Sequence, residues 1–332
     1  MNASAEVHGI PQELLQFIKT GSKFIIAGHK EPDGDCVGSQ LALRSALLRL
    51  GKEAVVCSAG PFMRTELKGC AGEFSAVITE DKKDARVIVV DCADMERTGS
   101  LQEVLEEFPC CAVIDHHDAV KYPPSTTNAP VYVDASAPSC TLLIEKLITA
   151  LDLEVTSQEA DLLFFGVCAD TGFFRHLTEK DGAVFEAAAR MVYSGASPKN
   201  IHKLMNGGKS LNSRIMMGHI LSRIEPHFDG RLLLSCETLE EFKTFGFEAR
   251  DSDNLNKMML SIEGVEATAI IRQESADNCT VSLRSVDIID VAQIAASLGG
   301  GGHKNASGLT MLGDISSVRQ NILESFSKVF IC

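Results

Sequence analysis

The chain contains no Cys-X-X-Cys pair, although it has eleven cysteines in 332 residues. That absence argues against a zinc ribbon, and several cysteines, such as Cys110-Cys111 and Cys168, sit inside apolar runs. They read as reduced, buried small hydrophobes of a cytoplasmic protein rather than a disulfide framework. Positive charge is also scarce: 31 Lys and Arg face 45 Asp and Glu, a formal net charge of −14. A chain so acidic lacks the basic face that grips long duplex nucleic acid. No apolar run reaches the length of a membrane span, so no membrane association is expected. The start, MNASAEVHGIPQELL, has neither the basic end nor the apolar stretch of a signal peptide. There is no low-complexity tract and no internal repeat.

What remains is a globular composition, 45% hydrophobic and 23% charged, long enough for two domains. From residue 24 to about 195, strand-like and helix-like stretches alternate. FIIAGH, EAVVCSA, RVIVVDCAD and CAVIDHH are near-continuous apolar strands, as in a parallel sheet buried on both faces. The expected fold class is therefore α/β, with a parallel-sheet domain over 1–195. Residues 118–138 read as a loop, and helices are expected near 139–151, 157–169 and 181–194. SGASP breaks the pattern, and a helical connector is expected over 196–228. A smaller α/β domain over 229–332 follows, with RLLLSC, VEATAIIRQE and CTVSLRS as strands, DIIDVAQIAASLG as a helix, and ISSVRQNILESFSKVF as the last helix.

Three of the first-domain strands end in polar clusters. The first ends GHKEPDGD, with His29, Asp33 and Asp35; the next ends in Asp91 and Cys92; the next in Asp115, His116 and His117. Ligands of open α/β sheets bind beyond the carboxyl ends of the strands, so these side chains should converge on one crevice. Asp170, in GVCADTGFF, is a fourth piece. Pro-Asp-Gly-Asp alone is an ordinary turn, and a lone Asp at a strand end is usually a helix cap. The joint occurrence of four such ends points to a site for divalent cations instead.

GHKEPDGD, VVDCAD, VIDHH and CADTGFF, in that order, resemble the four motifs of the DHH phosphoesterase superfamily. GGGGHKNASG resembles the glycine-rich signature of the DHH-associated C-terminal domain, and the two-domain length is similar to that of small bacterial oligoribonucleases that also dephosphorylate 3′-phosphoadenosine 5′-phosphate (pAp). The resemblance implies two divalent ions, Mn²⁺ before Mg²⁺. His29 and Asp33 would hold one, Asp91 would bridge, and Asp35, His116 and Asp170 would complete the second. His117 would face the substrate phosphate as a catalytic group, and Asp115 would orient the histidines from behind. Cys92 stands where relatives often carry Thr, beside the bridge rather than at a ligand position. Two ions about 3.5–4 Å apart can activate a hydroxide for in-line attack on phosphorus. Within GHKEPDGD, Gly34 is expected to allow a tight turn and Pro32 to stiffen the approach.

The implied substrates are di- to pentaribonucleotides, cleaved to mononucleotides, and pAp, converted to AMP. Linear dinucleotides such as pGpG and pApA, or cyclic dinucleotides, form the alternative, with pyrophosphate a weaker variant. A nucleotide-binding module without catalysis is the rival of another class, and the full ligand set argues against it. Arg284, Gly300, Gly301, Gly302 and His303, with Lys304 following, would hold the rest of the substrate. Arg97 and Arg175 would add positive charge near the metals. The oligomeric state, a homodimer among the options, is left open.

Overall fold

The computed structural model describes residues 9–79, 84–92, 94–117, 130–286 and 288–330, without the side chain of Asp253. The first eight residues, Ala93, Asp287 and most of the loop expected over 118–138 (118–129) lie outside the described residues. The chain divides into two compact units, Met1–Gly208 and Lys209–Cys332.

In the first unit α1 (Gln12–Thr20) leads into β1 (Lys23–Ala27), α2 (Gly34–Arg49) and β2 (Glu53–Cys57). Then come β3 (Ala85–Val90), a 3₁₀ segment over Met95–Leu101, α3 (Gln102–Glu106), β4 (Cys111–Asp115) and β5 (Val131–Val133). The unit closes with α4 (Cys140–Ala150), α5 (Ser157–Asp170), α6 (Gly182–Tyr193) and α7 (Pro198–Asn206). The five strands are parallel, in the order β2-β1-β3-β4-β5. Alternate residues of the apolar strands point to opposite faces. Phe24, Ile26, Ile88, Val90 and Ile114 pack with α2, α4 and α5, while Ile25, Ala27, Val87, Val89 and Val113 pack with Leu101, Leu105 and Phe108. This strand order reverses between β1 and β3, and the crevice beyond their carboxyl ends is where such sheets bind ligands. β5 was expected as loop; three residues suffice because Val131–Val133 pairs in register with Val113–Asp115.

Helices α2 and α5 cross closely because glycines remove side chains from the contact. A Cβ on Gly34 would lie 2.7 Å from Ala169 Cβ, and one on Gly38 would lie 2.6 Å from the Leu162 carbonyl oxygen. Gly34 is thus the first residue of a helix, not a tight turn as expected; its bare Cα allows the crossing. The crossing brings Asp35, on the first turn of α2, and Asp170, on the last turn of α5, to the same end of the helix pair.

The second unit contains α8 (Leu211–Ser222), β6 (Glu225–His227), β7 (Leu232–Glu237), α9 (Leu239–Phe245), α10 (Ser252–Leu260), β8 (Ala267–Ser275) and β9 (Asn278–Ser285). It ends with α11 (Val291–Ser297), β10 (Gly301–His303), β11 (Ala306–Leu312) and α12 (Ile315–Phe330). The sheet order is β10-β11-β9-β8-β7-β6. One face packs on Val291, Ile294, Val318, Ile322 and Phe326, and part of the other on Met216, Met217, Ile220, Leu255 and Met259. The stretch expected as one connector, 196–228, holds two helices, α7 in the first unit and α8 in the second, parted at Gly207-Gly208, and then the strand β6. Gly208 has φ 73°, a conformation that ends the helical path. Among the described residues no helix is long and apolar enough to cross a membrane, and the ten described cysteines are free.

Gly38→Ala tests the close crossing. Alanine gains about 1 kcal/mol of helix propensity, but its Cβ meets backbone, and overpacking costs about 1–3 kcal/mol. Chemical denaturation should show a net loss of stability; an unchanged or raised midpoint would contradict the required approach of α2 to α5.

Candidate metal centre

The loop after β1 is pinned on both sides: Lys30 N–H donates to the Arg97 carbonyl at 2.7 Å and Glu31 N–H to the Gly60 carbonyl at 2.9 Å. Asp33 then caps α2, its Oδ1 accepting from the amides of Asp35 and Cys36, both at 3.1 Å. Asp35 is fully buried and caps a different helix. Its carboxylate accepts from the amides of Cys140 (2.5 Å) and Thr141 (2.9 Å) and from the Thr141 hydroxyl (2.7 Å), at the start of α4. Ser139, the residue before that helix, makes no side-chain cap of its own. Two aspartates two residues apart are therefore aimed at different places by two helix N-termini, where negative charge is favoured.

Asp91 follows β3 and lies between them. It is 2% exposed, and its backbone sits in the left-handed region at φ 55°, held there as its N–H donates to the Ile114 carbonyl at 3.0 Å. A non-glycine residue in that region is strained and persists only where its surroundings enforce it. Its two oxygens face different partners: Oδ2 lies 3.5 Å from His29 Nε2, and Oδ1 lies 3.3 Å from His116 Nε2. His29 Nε2 is also 3.8 Å from Asp33 Oδ1, while His116 Nε2 is 3.2 Å from Asp170 Oδ2 and 3.8 Å from Asp35 Oδ2.

The histidine tautomers follow from what lies behind them. His29 Nδ1 is 2.8 Å from the Lys30 carbonyl, and His116 Nδ1 is 3.1 Å from the Ala137 carbonyl. A carbonyl only accepts, so Nδ1 carries a proton in both rings and Nε2 is the atom turned to the cluster, able to ligate an ion that displaces any proton there. His116 Nε2 and Asp91 Oδ1 are buried without a hydrogen-bond partner. Asp115 Oδ1 accepts from the amides of His116 (2.7 Å) and His117 (3.3 Å) and from His117 Nδ1 (2.7 Å). The His117 ring thus has its Nδ1 anchored, while its side chain is 40% exposed.

The electrostatics describe a pocket short of positive charge. Burial disfavours imidazolium at His29, yet Asp33 and Asp91 outweigh it and hold the pKa far above the ordinary histidine value. His116 is likewise raised, to about 11: burial opposes charge, and Asp170, Asp91 and Asp35 overcome it. Asp35 is pushed well above the usual carboxylate range by burial and then by Asp91 and Asp170. Asp170 is also raised, by burial first and by Asp33 and Asp91 against the pull of His116. Asp33 stays below its usual value because His29 outweighs the cost of burial. Buried like charges at these distances repel unless something positive sits among them. Divalent cations fit: the donors are oxygen and imidazole nitrogen, the two orphaned atoms face inward, and the histidines are locked in the ligating tautomer.

All six residues expected as ligands, with Asp115 and His117, are therefore brought to one place. Arg97 supports the site through its carbonyl, and Arg175 is exposed, with Nε donating to His176 Nε2 at 3.2 Å. Cys92, beside Asp91, turns its thiol to the Asp94 carbonyl at 3.0 Å. Cys36 escaped sequence reading: its thiol shares a neighbourhood of 4.8 Å with ligand atoms of His29 and Asp91.

In the second unit the glycine run leads into the hairpin β10–β11. Gly302 has φ 142°, and a Cβ on Gly300 would collide with the Gly308 carbonyl and Leu309. The pairing sets His303, Ala306 and Arg284 side by side in one cross-strand row and Gly301, Gly308 and Ser282 in the next. Facing residues of adjacent antiparallel strands share a sheet face, with strands about 4.8 Å apart. His303 and Arg284 thus flank a strip floored by Gly301, Ala306 and Gly308, in a row about 10 Å long. His303 is exposed and Arg284 half-buried, its Nη1 donating to the Leu283 carbonyl at 3.0 Å.

Residues 23–167 match the DHH family N-terminal domain and residues 237–330 the DHHA1 domain. The "Bifunctional oligoribonuclease and PAP phosphatase NrnA" of Thermus thermophilus is 31% identical over 302 residues, which cover 90% of this chain and 88% of that protein. The chain belongs to the DHH family. DHH phosphoesterases are metal-dependent, and the acidic and histidine cluster described above can hold such ions. A more distant relative, the "Cyclic-di-AMP phosphodiesterase PdeA" of Listeria monocytogenes, is 26% identical over 92% of this chain, which spans 47% of that protein. The fold is shared with an exopolyphosphatase-related protein from Bacteroides fragilis at a TM-score of 0.79 and 22% identity, covering 97% of each chain.

Metal binding should release protons, because an ion displaces the proton that the carboxylates hold on His116 up to about pH 11. The protonated form dominates below that value, so apparent affinity should rise with pH across the neutral range, by about tenfold per unit for each proton displaced. Calorimetric titration in buffers of different ionisation enthalpy measures this directly. A pH-independent affinity with no proton released would contradict the assignment.

Proposed function

We propose that this DHH-family hydrolase is a two-ion phosphoesterase that cleaves short oligoribonucleotides to mononucleotides and pAp to AMP. The observation that carries the reading is the Asp91 carboxylate, whose two oxygens face separate histidine–aspartate groups at 3.5 and 3.3 Å. One ion would be held by His29, Asp33 and Asp91, the other by Asp91, Asp35, His116 and Asp170. The mixed oxygen and imidazole donors favour Mn²⁺, with Mg²⁺ as a weaker substitute. Divalent ions in such a site supply Lewis acidity, which acidifies water and offsets charge on the phosphoryl oxygens.

The chain's own residues do the rest. Asp115, held below the ordinary carboxylate value because His117 and two amides outweigh its burial, keeps the His117 ring fixed through Nδ1. His117 Nε2, when it carries a proton, can then donate to a phosphoryl or leaving oxygen. Asp35 is held by three donors, so its carboxylate needs no reorganisation when substrate arrives. In the second unit, Arg284 and His303 are polar ends on a strip without bulky side chains. That suits a flat nucleoside with a phosphate, since Arg forks onto phosphate oxygens and glycine allows close approach. The net charge of −14 disfavours long strands, and the Thermus relative carries this bifunctional name. The Listeria relative's name keeps dinucleotides in the substrate panel.

Kinetics on two substrates separates these roles. Arg284→Ala and His303→Ala should each lower kcat/KM for a diribonucleotide by about 1.5–3 kcal/mol, the worth of a charged hydrogen bond. Hydrolysis of a nitrophenyl phosphate, which has no second nucleotide, should change little. Asp91→Ala should lower both rates by orders of magnitude. Equal losses for the Arg284 variant on both substrates would remove its proposed role. A panel showing pyrophosphate or cyclic dinucleotides preferred over short RNA and pAp would overturn the substrate assignment.

A further inference from the structure

Seven residues of the first unit surround the expected ion positions, and one belongs to no motif. Cys36 lies in the first turn of α2, fully buried, directly after Asp35. Its Sγ, a ring nitrogen of His29 and a carboxylate oxygen of Asp91 all lie within 4.8 Å of one another. Its backbone is fixed, because its amide donates to Asp33 Oδ1 at 3.1 Å. Its thiol has two side-chain partners, the His29 ring and, weakly, Gln40 Oε1 at 3.6 Å, and Gln40 is itself anchored by donating to the Ile26 and Cys57 carbonyls at 3.0 Å each. The side chain is also confined on the strand side: Gly28 has no Cβ, and one would collide with Cys36 Sγ. Asp91, 2% exposed, turns its Oδ2 toward the same space, 3.5 Å from His29 Nε2.

Other thiols nearby are differently engaged. Cys92 donates to the Asp94 carbonyl at 3.0 Å and Cys140 to the Ile114 carbonyl at 3.4 Å. Among the described residues, Cys36 is the only cysteine that shares a close donor group with histidine and carboxylate.

We propose that Cys36 is a metal-selecting residue of the His29–Asp33–Asp91 pocket. A thiophilic ion, Zn²⁺ or Cd²⁺, takes the Cys36 sulfur as an added ligand, whereas Mn²⁺ and Mg²⁺ bind the same pocket through oxygen and nitrogen alone. In the thiophilic case the S–H bond breaks, the sulfur–metal bond forms, and the proton passes to solvent. Imidazole, carboxylate and thiolate together form a donor set suited to Zn²⁺, while hard ions gain little from sulfur. The consequence is a centre that thiophilic ions occupy more tightly than its carboxylate content alone predicts. The inference rests on the metal-centre reading but not on the substrate.

Chelator-treated protein titrated with Cd²⁺, with sulfur-to-cadmium charge transfer followed in the ultraviolet, tests it. Wild-type protein should develop the band, and Cys36→Ser and Cys36→Ala should lose it, with Cd²⁺ and Zn²⁺ affinity reduced tenfold or more. Mn²⁺ affinity, read from the free-ion paramagnetic resonance signal, should change less than threefold in both variants. Cys92→Ala should keep the band. A full band in both Cys36 variants, or none in wild type, overturns the proposal. Parallel loss of Mn²⁺ binding in both variants also overturns it, because Cys36 would then support the pocket rather than select the ion. Failure of wild-type protein to bind Mn²⁺ at all would instead remove the metal centre itself.

Discussion

The Asp91 carboxylate is the point on which the first unit turns. It is buried, backbone-strained and shared between two histidines that approach from different strand ends. β1 delivers His29 and β4 delivers His116, and β3, which carries Asp91, is hydrogen-bonded between these two strands. A carboxylate on a central strand can present one oxygen to each side, which no edge strand could do. The left-handed turn at Asp91 costs on the order of 1–3 kcal/mol. The sheet tolerates this because the Asp91 amide continues the β3–β4 hydrogen bonding onto Ile114.

Around that point the chain manages an excess of negative charge by three means. Helix N-termini receive two of the carboxylates, Asp33 on α2 and Asp35 on α4, where amide dipoles oppose the cost of burial. Histidine rings, fixed from behind by carbonyls of Lys30 and Ala137, face the remaining oxygens. The rest of the imbalance is left for cations. A site satisfied entirely within the protein would have no affinity for an ion; here orphaned donors at Asp91 and His116 preserve it.

Much of this was legible because strand ends and ligand residues coincide in the sequence. VVD, VIDHH and the start of GHKEPDGD each join an apolar strand to its ligand without an intervening loop, so period and position together locate the site. What escaped depends on tertiary partners. Val131–Val133 is too short to declare itself a strand without β4 beside it. GGGGHKNASG carries no strand signal because glycine lacks β propensity, yet the hairpin accounts for Gly300, against Leu309, and Gly302, at positive φ. Gly207-Gly208 carried a usable signal, the positive-φ requirement that parts α7 from α8. Gly34 was visible, but its purpose was set by Ala169, distant in sequence. Cys36 could not be weighed as a donor until α2 placed its thiol beside His29.

The central claim is that one carboxylate serves two ions, and metal stoichiometry tests it most directly. Mn²⁺ bound per chain should be counted at equilibrium for wild type, His29→Ala and Asp91→Ala. The account predicts two tightly bound ions in wild type, one after loss of His29, and neither held tightly after loss of Asp91. Retention of one tight ion at full affinity in Asp91→Ala would show that the two histidine–aspartate groups are independent, and would contradict the shared carboxylate.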